Sequence, residues 1–244
     1  MTPDLERALG YPYFIPKSSY IYHAPHYTVL GANTELPSLK QRTPVLAIGS
    51  NQSPEQLARK FPYDKNKNAQ HIIPVTKAYL DNFDTVYSPH IAGYGSVPAT
   101  LHPSPGTTVT LFVNWLNQSQ LEDMHETELA AANYSFGELK NIHLEIDRIG
   151  LKKSVFYYHG TRGALALDGE PIALSTVDAK NRRLKTMDQH QINALVQQRF
   201  RPHLSHREFL TQLITDQNYR SQVTDFLSQL SIPHNPTADY FSSI

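Results

Sequence analysis

Pro44-Val45-Leu46-Ala47-Ile48-Gly49-Ser50-Asn51-Gln52-Ser53-Pro54 is the stretch on which the fold turns. Its first five residues form a short apolar run ending at glycine, the pattern of a buried strand. Gly49 to Gln52 have turn composition. Ser53 can cap a helix with Pro54 at its first position, and Gln56 stands where a capping box places Glu or Gln. The reading is strand, tight loop and helix N-terminus in immediate succession. Such a loop can be a plain strand-to-helix turn. It can also cradle an anion, because glycine admits close approach, successive amides point outward and the next helix adds its positive end.

Downstream, strands are expected near 71–80 and 97–101. Thr108 to Trp115 alternates, with Val109, Leu111, Val113 and Trp115 on one face. Ser119 and Glu122 read as a second capping box, opening a helix to about Ala132. Ala164 to Leu167 and Pro171 to Val177 flank Asp168-Gly169, a two-residue hairpin signal. Two further capping boxes, Asp188 with Gln191 and Ser205 with Glu208, begin a tail of three short helices. The apolar faces of that tail have to dock, on the core or on another copy of the chain. Upstream, residues 1–43 read as an extension with little regular structure. Tyr11, Tyr13, Phe14, Tyr20 and Tyr22 would pack it on the core.

Composition narrows the function. Lys plus Arg and Asp plus Glu are 22 each, so no global basic field is available for nucleic acid. The short basic spots at Lys152-Lys153 and at Arg182, Arg183 and Lys185 read as solvated surface. The chain has no cysteine, which excludes disulfides, a thiolate nucleophile and cysteine-ligated zinc. The first residues show no basic start followed by an apolar run, and no apolar window is long enough to span a bilayer. The expectation is therefore a soluble, cytoplasmic protein with no membrane partner.

Few motifs carry chemistry. There is no Gly-x-Ser-x-Gly elbow, Walker loop or His-Glu-x-x-His, and Gly93-Tyr94-Gly95 lacks the third glycine of a dinucleotide loop. His23/His26 and His203/His206 have no carboxylate partner placed by spacing, so no metal site is read there. Glu128 is the informative residue. Its helical phase puts it in one stripe with Leu121, Met124 and His125, whereas Glu126 falls on the far side. A carboxylate sent toward an apolar interior is either a buried ion pair or a general base in a pocket.

Together these pieces resemble the gamma-glutamylcyclotransferase family, related to the AIG2-like proteins. The family's opening signature, a strand running into Tyr-Gly-Ser-Asn, is matched by Leu46-Ala47-Ile48-Gly49-Ser50-Asn51. Pro98 to Gly106 resembles its alanine-threonine strand and turn. The alternating strand to Trp115 follows, and then the helix that carries the family's glutamate, here Leu121 to Glu128, with Tyr134 shortly after. The match runs over about residues 44–136 and more loosely to 177. Ile48 stands where the family usually has tyrosine, and His125 where aspartate is common.

The resemblance implies an α+β fold, a mixed β-barrel with surrounding helices over 44–177. The N-terminal extension of 1–43 and a helical C-terminal appendage of 178–244 would be added to it. It implies a gamma-glutamyl amine, amino acid or peptide as the small-molecule substrate, cyclised to 5-oxoproline with release of the amine. Glu128 would be the base; Ile48, Gly49, Ser50, Asn51 and Tyr134 would bind substrate; no metal or organic cofactor would be required. The alternative is a non-catalytic member that binds a small ligand or a protein partner, with homo-oligomer formation through the tail as a further expectation.

Overall fold

Two long antiparallel strands carry the architecture. The computed structural model describes residues 2–63, 71–233 and the backbone of 241–243. In chain order the first elements are α1 (Pro3–Leu9), β1 (Tyr20–His23), β2 (His26–Val29), β3 (Thr43–Ala47) and α2 (Pro54–Lys60). The long pair β4 (Ile72–Tyr87) and β5 (Ala99–Leu116) comes next, then α3 (Gln118–Glu128), β6 (Tyr134–Ile146) and β7 (Gly150–Gly160). The hairpin β8 (Ala164–Leu167) and β9 (Glu170–Pro171) leads to α4 (Gln189–Phe200), α5 (His206–Thr215) and α6 (Gln217–Ser228).

The strand order β5-β3-β7-β6-β4 closes on itself through the β4–β5 pairing. The result is a five-stranded mixed barrel, since β3 runs parallel to β7 and the other pairs are antiparallel. Closure removes the exposed edges that an open sheet would leave. The protein is thus α+β, a mixed barrel with helices around it.

Val109, Leu111, Val113 and Trp115 are buried on one face of β5. Phe112, Asn114 and Leu116 are buried on the other, because α2 and α3 cover the outside of the strand there. Residues 103–106 do not end a strand, as the sequence suggested. β5 continues through them with a bulge against Asp81 and Phe83, where Gly106 (φ 82°) donates its N–H to Asn82 Oδ1 at 3.0 Å.

The N-terminal 43 residues are more ordered than their weak periodicity suggested. α1 is a helix, and β1 pairs with both β2 and β4, so this segment extends the barrel sheet. Tyr11, Tyr20 and Tyr22 are buried, but Phe14 is exposed. Long-range pairing partners, invisible in a local window, supply the order.

The caps also shifted. α3 begins two residues earlier, with Asn117 and Gln120 forming the reciprocal box, and ends at Glu128. At α2, Ser53 accepts from Glu55 N–H, and the Gln56 side chain accepts from Arg59 instead of closing a box. The boxes at Asp188/Gln191 and Ser205/Glu208 form, and Asp168-Gly169 makes the hairpin turn with both residues at positive φ. The tail helices bury Ile192, Phe209, Leu213, Val223 and Leu227 in one core with Leu46, Leu111 and Val113 of the barrel. Arg182 is a correction to the surface reading. It forks onto Asp84, Nε to Oδ2 and Nη2 to Oδ1 at 2.8 Å each, with Asp84 fully buried.

Candidate functional site

The loop after β3 opens onto a cleft of about 380 Å³. Ile48, Gly49, Ser50 and Asn51 line it from the loop, Arg59 and Lys60 from the end of α2, Glu128 from the end of α3, and Tyr134 from the start of β6. All the site residues read from the sequence therefore face one space. Arg7 and Tyr11 reach the same cleft from the N-terminal segment.

The loop is a 3₁₀ turn over Ser50–Gln52. Its first backbone bond is Gln52 N–H to Gly49 C=O at 3.2 Å, so the Ser50 and Asn51 amides stand ahead of the turn's own bonding. Asn114 on β5 fixes the loop by donating to the Asn51 carbonyl at 3.1 Å. Ile48 is buried and belongs to the barrel core.

Glu128 is the last residue of α3, and Lys60 the last of α2. Two negative helix ends and a carboxylate thus converge, an arrangement that needs a cation. Lys60 supplies it. Its ammonium pairs with Glu128 Oε1 and also donates to Thr127 Oγ1 at 2.7 Å. Asn51 Nδ2 donates to the same Glu128 oxygen at 3.0 Å, tying the loop to the helix. The side chains of Lys60 and Glu128 are 6% and 17% exposed, so the pair is mostly withdrawn from water. Glu128 Oε2 has no protein partner among the described residues, and Glu126 is exposed on the opposite side of the helix.

The rest of the wall is aromatic and cationic. Arg7 lies 4.8 Å over the Tyr94 ring and Arg59 4.2 Å over Tyr13. Tyr134 donates its hydroxyl to Ala99 C=O at 3.0 Å, and burial raises its pKa well above the ordinary tyrosine value. His90, also lining the cleft, exchanges a hydrogen bond with Ser88 Oγ at 3.0 Å. Burial, with a smaller push from Arg162, holds its pKa down at about 3, so it is neutral at pH 7. Among the described residues no group of three or more His, Cys, Asp or Glu gathers to hold a metal, and no helix is long and apolar enough to cross a membrane.

The sequence reading missed Lys60, Arg59, Arg7 and Tyr11. For Lys60 a signal existed, since a carboxylate on an apolar stripe calls for a cation. Nothing local said which cation.

No family model matches the chain, and no curated protein matches it. It is similar to solved structures at low identity. A chain named gamma-glutamyl cyclotransferase is 15% identical over 77% of this chain and 99% of that one, with a TM-score of 0.38. An uncharacterized protein from Homo sapiens is 14% identical over 75% and 99%, with a TM-score of 0.40. A solution structure of a protein from Arabidopsis thaliana is 17% identical over 49% and 69%, with a TM-score of 0.36.

Proposed function

We propose that the cleft converts a gamma-glutamyl compound into 5-oxoproline and a free amine. The observation that carries this reading is the state of Glu128. One carboxylate oxygen is anchored by Lys60 and by the loop residue Asn51, and the other has no partner among the described residues, on a side chain that lines the cleft. An anchored base with one free oxygen suits proton abstraction from a bound ammonium group.

The chemistry is intramolecular. Glu128 takes a proton from the substrate's α-ammonium, and the freed nitrogen attacks the γ-carbonyl carbon. The new C–N bond closes a five-membered ring and leaves an oxyanion, for which the Ser50 and Asn51 amides are candidate donors. The oxyanion collapses, the bond to the leaving nitrogen breaks as Glu128 returns its proton there, and Glu128 then carries a second proton from the positively charged ring nitrogen to the freed amine. Two of the three ammonium protons end on the departing amine and one stays on the lactam nitrogen, so the balance closes. Because both reacting groups sit in one molecule, the protein has mainly to hold the reactive conformer. Arg7 and Arg59 at the rim favour a substrate whose leaving portion carries a carboxylate.

A second reading is supported by the same ion pair. If Lys60 and Glu128 serve only to neutralise two helix ends, the cleft is a binding site for a small anionic ligand. Release of 5-oxoproline by the purified protein, measured across gamma-glutamyl amines, amino acids and peptides, separates the two. Turnover of any of them supports the enzyme. Binding without turnover on all of them overturns it.

A further inference from the structure

Gly49 is the place where another part of the chain enters the site. A Cβ built on Gly49 would lie 2.1 Å from Tyr11 Oη, so the missing side chain is the opening through which this phenol reaches the loop. The oxygen accepts the Ala99 N–H at 2.9 Å. Tyr11 accepts this one bond and donates to no acceptor among the described residues. Its proton is uncommitted, on the wall of the cleft.

Tyr134 is the contrast. Its hydroxyl meets the same residue, Ala99, but has already given its proton to that residue's carbonyl. Of the two phenols at the loop, only Tyr11 has a proton to offer a ligand. Burial raises the Tyr11 pKa, with the Glu128 charge adding to the effect, so the hydroxyl is protonated at neutral pH. A neutral donor held by the Ala99 amide, close to the carboxylate that moves protons, suits a carbonyl oxygen about to gain charge. A carboxylate has the guanidinium groups of the rim instead.

We propose that Tyr11 is a substrate-binding residue of this cleft, donating its phenolic proton to the γ-carbonyl oxygen of the gamma-glutamyl group and to the corresponding lactam oxygen of 5-oxoproline. The proposal rests on the cyclisation reading above. It makes the N-terminal segment part of the site, and it moves the hydroxyl that Ile48 does not supply to a residue 37 positions earlier in the chain.

The test is Tyr11→Phe, which removes one oxygen and keeps the ring. The rate constant kcat should fall by about 10²-fold, the cost of losing one oxyanion donor. In calorimetry, wild type and variant are compared by their preference for 5-oxoproline over proline, which has the same ring and carboxylate but a secondary ammonium in place of the lactam. Tyr11→Phe should lose about tenfold of that preference while binding proline as wild type does, a pattern that a loss of packing would not give. A second pair of variants tests the contact without any ligand. Gly49→Ala should lower the melting temperature in wild type, where its methyl meets Oη, and much less in Tyr11→Phe. Wild-type turnover with a Tyr11→Phe variant unchanged in both rate and ligand preference overturns the role of Tyr11 alone. Additive effects of Gly49→Ala and Tyr11→Phe overturn the contact. A wild type that neither turns over gamma-glutamyl compounds nor binds 5-oxoproline overturns the cyclisation reading, and this role with it.

Discussion

Glu128→Gln should do two separable things, and the structure gives a size for each. The substitution removes a negative charge but leaves an amide oxygen where Oε1 now accepts from Lys60 and Asn51. Lys60, 6% exposed, becomes a cation without a counter-charge between two helix ends. Breaking a buried pair costs about 3–5 kcal/mol, and the retained acceptor puts this case near the lower end, about 3 kcal/mol. With a urea slope of about 2–3 kcal/mol/M, the unfolding midpoint should drop by roughly 1 M at an unchanged slope. The double variant Lys60→Met/Glu128→Gln removes the stranded cation, and should recover most of that loss. Catalysis should not recover. Both variants lack the base, and 5-oxoproline release should fall by about 10²–10⁴-fold in each. Glu126→Gln, exposed on the other side of the helix, is the matched control and should behave as wild type in both measurements. Turnover by Glu128→Gln within a few-fold of wild type would refute the base assignment. An unshifted midpoint would refute the buried-pair argument even if activity were lost.

Other expectations follow from the same geometry. Asp84→Asn leaves Arg182 unpaired beside a fully buried position and should cost about 3–5 kcal/mol in chemical unfolding, with the Arg182→Met/Asp84→Asn pair milder than either single change. Leu213→Ala, in the core shared by the tail and barrel, should cost about 2–5 kcal/mol in one cooperative transition. A separate early transition confined to the tail would contradict a common core. His90 and His159, their pKa values held down by burial at about 3 and about 4, bind protons later in the folded state than in the unfolded one. Stability is therefore fully present above about pH 6.5 and declines as pH falls toward 4, by up to ~1.4 kcal/mol per unit for each histidine. His90→Phe should flatten that slope in urea titrations. Arg59→Ala should raise KM for substrates whose leaving group has a carboxylate and change it little for gamma-glutamyl amines.

The local elements around the site were legible because they rest on local rules. An apolar run stopped by glycine made β3, Ser53 began α2, and Asp168-Gly169 turned the hairpin, each through contacts within a few residues. Helical phase alone separated Glu128 from Glu126, since 100° per residue assigns faces without any knowledge of what covers them. The order of the barrel strands was not in any window. Nor was the bulge that carries β5 past Pro103, because the strand continues only by pairing with β4.

The sequence, by helical phase and by its family resemblance, put forward the loop Gly49 to Asn51, the carboxylate of Glu128 and the ring of Tyr134 as the pieces of a candidate site. The tertiary structure alone decided what those pieces touch. Lys60 neutralises Glu128 because α2 and α3 end at the same point, and Tyr11 reaches the loop because Gly49 leaves it room. Both facts depend on contacts between residues 38 to 68 positions apart. Periodicity and capping fix a residue's face and its nearest neighbours. They say nothing of which distant side chain will be folded against it, and that choice is made by closing the barrel and packing the N-terminal segment and helices around it.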